Sequence, residues 1–236
     1  MGAMKHRVRE DCLTMSPRLP ITLSLSLRCW LVILAAIGLA VAPACGWGRS
    51  LPDSGEVAFV CDGDTIILES GERVRYLGID APEIEHDKAK ADCFGEDARR
   101  VNSELVLHKR VSLHYDREKT DRHGRLLAYV MLPNGKCANA ELLRAGCACV
   151  FRSAQDFRRL DEFLLLQKEA IHQHKGMWGA CSVKPEKNYT GHRASFVFHR
   201  PECFLGRKIA VGQRIRFPDR WTGLDQGYRP CRYCKP

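Results

Sequence analysis

Four carboxylates, Asp62, Asp64, Asp80 and Glu83, and two arginines, Arg75 and Arg125, fall in three short clusters. The clusters read D-G-D-T at 62–65, R-Y-L-G-I-D-A-P-E at 75–83 and T-D-R-H-G-R at 120–125. Each puts charge at a strand end, where backbone geometry can aim it. Asp64 and Asp80, with a carbonyl between strands, make a hard oxygen site that suits Ca2+. No His or Cys lies close enough in sequence to either Asp to suggest zinc there. Glu83 comes three residues after Asp80 and can face the same cavity without ligating. Arg75 and Arg125 can fork onto phosphate oxygens and do not lose their charge. Metal, base and two arginines are the equipment for hydrolysing a phosphodiester. A D-G-D-T turn alone is an ordinary hairpin, so the specificity lies in the whole set.

A second constellation lies near the C-terminus. His199 and Cys203 have three residues between them, and Cys231 and Cys234 have two. Two close pairs separated by a loop are what a tetrahedral zinc ion needs. Two disulfides are a weaker account, because three cysteines cannot pair internally.

These residues need elements to position them. Gly55 to Val60 alternates loosely toward the Asp62-Gly63-Asp64 turn, and Thr65 to Leu68 continues as a second strand. Ser70-Gly71 turns into a third strand over 73–79, which Asp80-Ala81-Pro82-Glu83 breaks. Apolar spacing predicts a helix over 95–107, two strands at 111–115 and 126–132 around a polar loop, and helices at 139–145 and 156–173. Gly146 stands where it can end the shorter helix. Three strands, a helix, two strands and further helices predict a five-stranded barrel with helices packed on it. Residues 182–236 form a separate tail.

The clusters, with L-L-A-Y after Arg125 and G-M-W-G at 176–179, resemble the staphylococcal-type nuclease (thermonuclease) family from about Gly55 to Cys181. That resemblance implies an OB-fold of five barrel strands and three helices over 50–182. It implies calcium ligation by Asp64, Asp80 and the backbone carbonyl of Ala81, with Asp62 close behind. It implies Glu83 as the general base on water, and Arg75 and Arg125 as stabilisers of the transition state. The charged segment after Glu83 has the length of the family's mobile loop. One departure is clear: where the best-known member has tyrosines that pack on the nucleotide, this chain has Phe151-Arg152-Ser153-Ala154. The tail is similar to the Ada-type zinc-binding domain over 189–236. There the first ligand is a cysteine that also accepts a methyl group, and His199 in its place argues against phosphotriester repair.

Charge and cysteine content set the context. The chain of 236 residues carries a net charge of +9. Residues 182–236 hold 12 basic against 4 acidic side chains, which leans toward a polyanion partner. Cys29 to Ala42 is an uninterrupted apolar run, short for a membrane span, followed by Ala42-Pro43-Ala44. This reads as a signal peptide over 1–44, with lipid attachment at Cys45 as a secondary route. Export to the periplasm or the medium means an oxidising compartment. Cys93 and Cys181 are then candidates for a bridge, with Cys147 and Cys149 as competing partners, while Cys61 reads as a small buried hydrophobe.

The resulting expectation is an exported, monomeric, Ca2+-dependent nuclease acting on DNA and RNA with little sequence preference. Its tail would be a basic module with a structural Zn2+. No small-molecule cofactor is expected, and membrane contact only through a lipidated Cys45. The alternative is a non-catalytic nucleic-acid-binding protein on the same barrel.

Overall fold

The computed structural model describes residues 50–85, 90–153 and 156–236. The chain divides into two compact units, residues 1–51 and 52–236, and every element below belongs to the second. The expected signal peptide, Cys45, Ala154 and part of the expected mobile loop lie outside the described residues. Among the described residues no helix is long and apolar enough to cross a membrane.

The strands β1 (Ser54–Val60), β2 (Thr65–Leu68), β3 (Arg73–Tyr76), β5 (Arg110–Thr120) and β6 (Leu126–Met131) close into a barrel in the order β1-β2-β3-β6-β5. The pairs are antiparallel except β3 with β6, which runs parallel. In β5 the alternation is plain: Val111 and Leu113 point into the core, and Arg110, Ser112 and His114 point out. The strand runs to Thr120, beyond the expected loop boundary at 116. Asp116 explains part of this: it is buried and accepts hydrogen bonds from Tyr129 Oη and the Arg158 N–H, both at 2.8 Å.

The expected third strand is interrupted. After Tyr76 the chain turns through Gly78 at φ +82°, and a short β4 (Ile79–Asp80) pairs with β7 (Cys149–Val150) instead of the barrel. Only glycine adopts that φ freely, and a Cβ there would press on the Phe157 ring at 2.7 Å. The kink carries Asp80 off the barrel wall.

Helix α1 (Gly95–Val106) buries Ala98, Asn102 and Val106 at a four-residue spacing, which presents one face to the barrel. Gly95 begins it because a Cβ would lie 2.3 Å from the Glu83 carbonyl oxygen. Helix α2 (Ala138–Arg144) packs against α1, α3 (Leu160–His172) packs against α2, and α4 (Met177–Ala180) follows. A disulfide joins Cys93 to Cys181 across 88 residues of sequence, the first of the pairings considered. Cys147 and Cys149 are free and buried. Cys61 is buried as expected but is disulfide-bonded, so it is not simply a small hydrophobe.

The tail forms a four-stranded sheet of β8 (Tyr189–His192), β9 (Val197–His199), β10 (Arg214–Phe217) and β11 (Arg229–Pro230), in the order β10-β8-β9-β11. Two short helices, α5 (Phe204–Arg207) and α6 (Arg220–Asp225), flank it. Its core is not its own. Tyr189, Phe198, Phe217, Leu224 and Tyr228 form one cluster with Ala170 of α3 and Trp178 of α4. Tyr228 is part of this core, whereas the tail aromatics Trp221 and Tyr233 are exposed.

Candidate active site

Asp64 sits where the D-G-D-T turn enters β2. Its N–H donates to Asp62 Oδ1 at 2.9 Å, and its carbonyl accepts the Tyr76 N–H at 2.8 Å. The turn is tied down further by Asn102 of α1, whose Nδ2 donates to the Asp62 carbonyl at 3.0 Å. Tyr76 Oη in turn donates to Asn102 Oδ1 at 2.9 Å. The Asp64 side chain accepts from the Ala81 N–H at 2.6 Å and from Thr65 Oγ1 at 3.1 Å. Asp64 is thus fixed from two sides.

Arg75 on β3 joins the two aspartates. Its Nη1 lies 2.5 Å from Asp64 Oδ2, and its Nη2 lies 2.9 Å from Asp80 Oδ1. The register puts it there, since Arg75 pairs with Thr65 across β2 and β3. Both carboxylates are buried, Asp64 at 4% and Asp80 at 8% exposure. Burial pushes the Asp64 carboxyl up to about 8 against the opposing pull of Arg75, and the Asp62 and Asp80 charges push it the same way. Two buried carboxylates joined through one guanidinium offer hard oxygens of the kind that fit a divalent cation of the calcium type.

Glu83 follows on the same segment, its N–H donating to Asp92 Oδ2 at 3.2 Å and its carbonyl accepting the Asp92 N–H at 2.8 Å. Its carboxylate reaches the cluster, because one guanidinium, that of Arg232, contacts both Glu83 Oε1 and Asp80 Oδ1. Arg125 stands apart. Its Nε pairs with Asp121 Oδ2 at 2.7 Å, and its N–H donates to Asp121 Oδ1 at 3.0 Å. So Asp64, Asp80, Ala81, Arg75 and Glu83 come together, while Arg125 is held at the turn before β6.

Three tail residues on this site were not foreseen. Arg232 and Arg229 both approach Asp80, the latter with Nη1 3.6 Å from Oδ2, and Lys235 pairs with Asp92. The R-P-C-R-Y-C-K run shows its charge in the sequence but not its docking place. The segment that departs from the family's tyrosines is also engaged by the tail. Arg229 lies over the Phe151 ring at 4.8 Å, and Arg152 lies over the Phe196 ring at 4.3 Å.

The second cluster is assembled as the spacing predicts. The ligand atoms of His199, Cys203, Cys231 and Cys234 all lie within 4.8 Å of one another. His199 ends β9, Cys203 precedes α5, and Cys231 follows β11. One nitrogen and three sulfurs converging so closely fit a tetrahedral zinc ion.

Comparison with known proteins agrees with this geometry. The family model described as staphylococcal nuclease homologue matches residues 73–180. Endonuclease YncB of Bacillus subtilis (strain 168) is 33% identical over 135 residues, covering 55% of this chain and 64% of that protein. Thermonuclease of Staphylococcus intermedius is 35% identical over 126 residues, covering 50% of this chain and 72% of that protein. Protein ParB of Escherichia coli is 33% identical over 166 residues, covering 65% and 86%. The chain spans 64% of YncB and 45% of the SPbeta prophage-derived endonuclease YokF, less than two thirds of either. With its barrel closed, its aspartates joined by an arginine and its residues aligned to such relatives, the chain belongs to the staphylococcal nuclease homologue family.

Proposed function

We propose that this chain is an exported nuclease that hydrolyses phosphodiester bonds in DNA and RNA with little sequence preference. The observation that carries the reading is the Arg75 guanidinium joining Asp64 to Asp80, with Glu83 one guanidinium away. Asp64, Asp80 and Ala81 would hold Ca2+, which when bound neutralises phosphate charge and polarises the scissile bond. Glu83 accepts the proton of the attacking water. Arg75 turns its fork toward the charge that develops on the phosphate oxygens, and Arg125 supplies a second fork from the start of β6. Positive charge in the tail draws the polyanion to the site.

The tail's His199, Cys203, Cys231 and Cys234 would hold a structural Zn2+ that contributes folding energy. That role suits a tail whose sheet is small and whose core is shared. Incubating the full chain with linear DNA and with RNA, with and without EGTA, tests the reading. Cutting of both that stops in EGTA is expected, along with one zinc per chain by atomic absorption. Binding without cutting would favour the non-catalytic alternative.

A further inference from the structure

The carboxylates assigned to the chemistry carry a guanidinium from the far end of the chain. Arg232 Nη2 lies 2.6 Å from Asp80 Oδ1, and its Nη1 bonds Glu83 Oε1. The partners are 152 and 149 residues apart in sequence. This is not one stray surface side chain. Arg232 stands between the zinc-type ligands Cys231 and Cys234, and the loop is pinned on both sides. The Cys231 N–H donates to the Phe198 carbonyl at 2.9 Å, and the Lys235 N–H donates to the Cys231 carbonyl at 2.9 Å. Arg200 caps the loop by donating to the Cys234 and Lys235 carbonyls, both at 2.9 Å. Lys235 pairs with Asp92 beside Glu83, and Arg229 flanks Asp80.

The consequences are chemical. Asp80 Oδ1 accepts from Arg75 and Arg232 together, which occupies both lone pairs of that oxygen. Glu83 with an arginine on its carboxylate is tied away from an attacking water. Charge points the same way: Arg232 adds a third guanidinium, beside Arg75 and Arg229, to the carboxylates of Asp64, Asp80 and Glu83, and removing it would leave them more negative. Both terminal nitrogens of Arg232 are spent on protein carboxylates, so in this arrangement the fork is not offered to a phosphate.

We propose that Arg232 is a built-in cationic plug. The C-terminal loop holds it on Asp80 and Glu83, and a divalent cation must displace it. The tail thereby sets the calcium level at which the site opens. The proposal rests on the nuclease reading above and adds regulation to it.

The test is calcium binding to the full chain by isothermal titration calorimetry, for wild type, Arg232→Ala and Arg207→Ala. Arg207 is an exposed tail arginine paired with Glu202, and its loss controls for net charge. A charge-assisted hydrogen bond removed from the competitor should tighten calcium binding by about tenfold or more in Arg232→Ala. The screened surface charge of Arg207 should matter by less than about twofold. Half-maximal cutting should shift to lower calcium in Arg232→Ala, with turnover at saturating calcium at least as high as wild type. Equal affinities for wild type and Arg232→Ala would overturn the plug and leave the nuclease reading intact. A large loss of turnover at saturating calcium would make Arg232 a phosphate ligand and overturn the plug as well. No calcium binding by any of the three chains would overturn the calcium reading itself, and the plug with it.

Discussion

Arg75 and Asp64 are joined twice: Nη1 lies 2.5 Å from Oδ2 of the carboxylate and 3.5 Å from the carbonyl oxygen of the same residue. Neighbouring strands impose this, because Arg75 stands opposite Thr65 and Asp64 is the residue before it. A lysine at 75 would keep the charge but could not span Asp64 and Asp80 at once. Arg75→Lys should therefore lower turnover by about 10²–10³-fold, the usual cost of one transition-state donor. Steady-state cutting of a defined oligonucleotide checks it, with folding confirmed by circular dichroism.

Gln167 is the stitch between barrel and tail. Its Oε1 accepts the Val150 N–H at 2.7 Å, and its Nε2 donates to the Leu224 carbonyl at 3.0 Å. The side chain is 2% exposed, so water does not readily replace either partner. Gln167→Leu should cost about 1–3 kcal/mol for each buried backbone group left unpaired. Urea unfolding measures the loss. Limited proteolysis should show faster cleavage near residues 182–188, where the chain passes into the tail.

The Cys93–Cys181 bridge closes a long loop that contains the barrel strands β5 and β6 and the helices α1 to α4. Replacing both cysteines by serine should lower stability by about 2–5 kcal/mol under the loop-entropy account. Denaturant midpoints of the two proteins, compared under oxidising conditions, test it. Calcium affinity should change less, because the ligands are held by β2, β4 and the Ala81 N–H.

Asp116 gives the acid limb of stability a specific source. Burial alone would raise its pKa, but hydrogen bonds from the Arg158 N–H, Tyr129 Oη and the Arg117 N–H bring it below the usual carboxylate value. A carboxyl depressed by folding stabilises the protein above its unfolded pKa and loses that contribution as pH falls through the folded value. Asp116→Asn should thus be less stable than wild type at pH 7. The gap should narrow as pH drops below about 4, the unfolded carboxylate range. Thermal melts between pH 3 and pH 7 read this directly.

The parts of this architecture legible in the sequence were those written in local patterns. Alternation in 111–115, the four-residue spacing of α1 and the turn residues around Asp62-Gly63-Asp64 announce barrel and helix without tertiary information. The ligand spacing His199, Cys203, Cys231 and Cys234 announces its own convergence, because each pair is local. What stayed hidden depends on contacts between distant segments. The break at Gly78 is set by the pairing of Asp80 with Cys149, which no window of neighbouring residues contains. The extension of β5 past Asp116 is held partly by Arg158, more than 40 residues on. Arg232 reads as one more basic tail residue until the shared core of Tyr189, Phe198 and Trp178 brings it onto Asp80. The same sharing means that the tail is not the independent module its composition suggests.

The account stands or falls on Glu83 as the base. Glu83→Gln keeps the shape of the side chain but removes its ability to take a proton. The measurement is single-turnover cutting of DNA by wild type and Glu83→Gln at saturating calcium. The account predicts a rate lower by about 10²–10⁴-fold, with calcium still bound. A variant that cuts at the wild-type rate would contradict it.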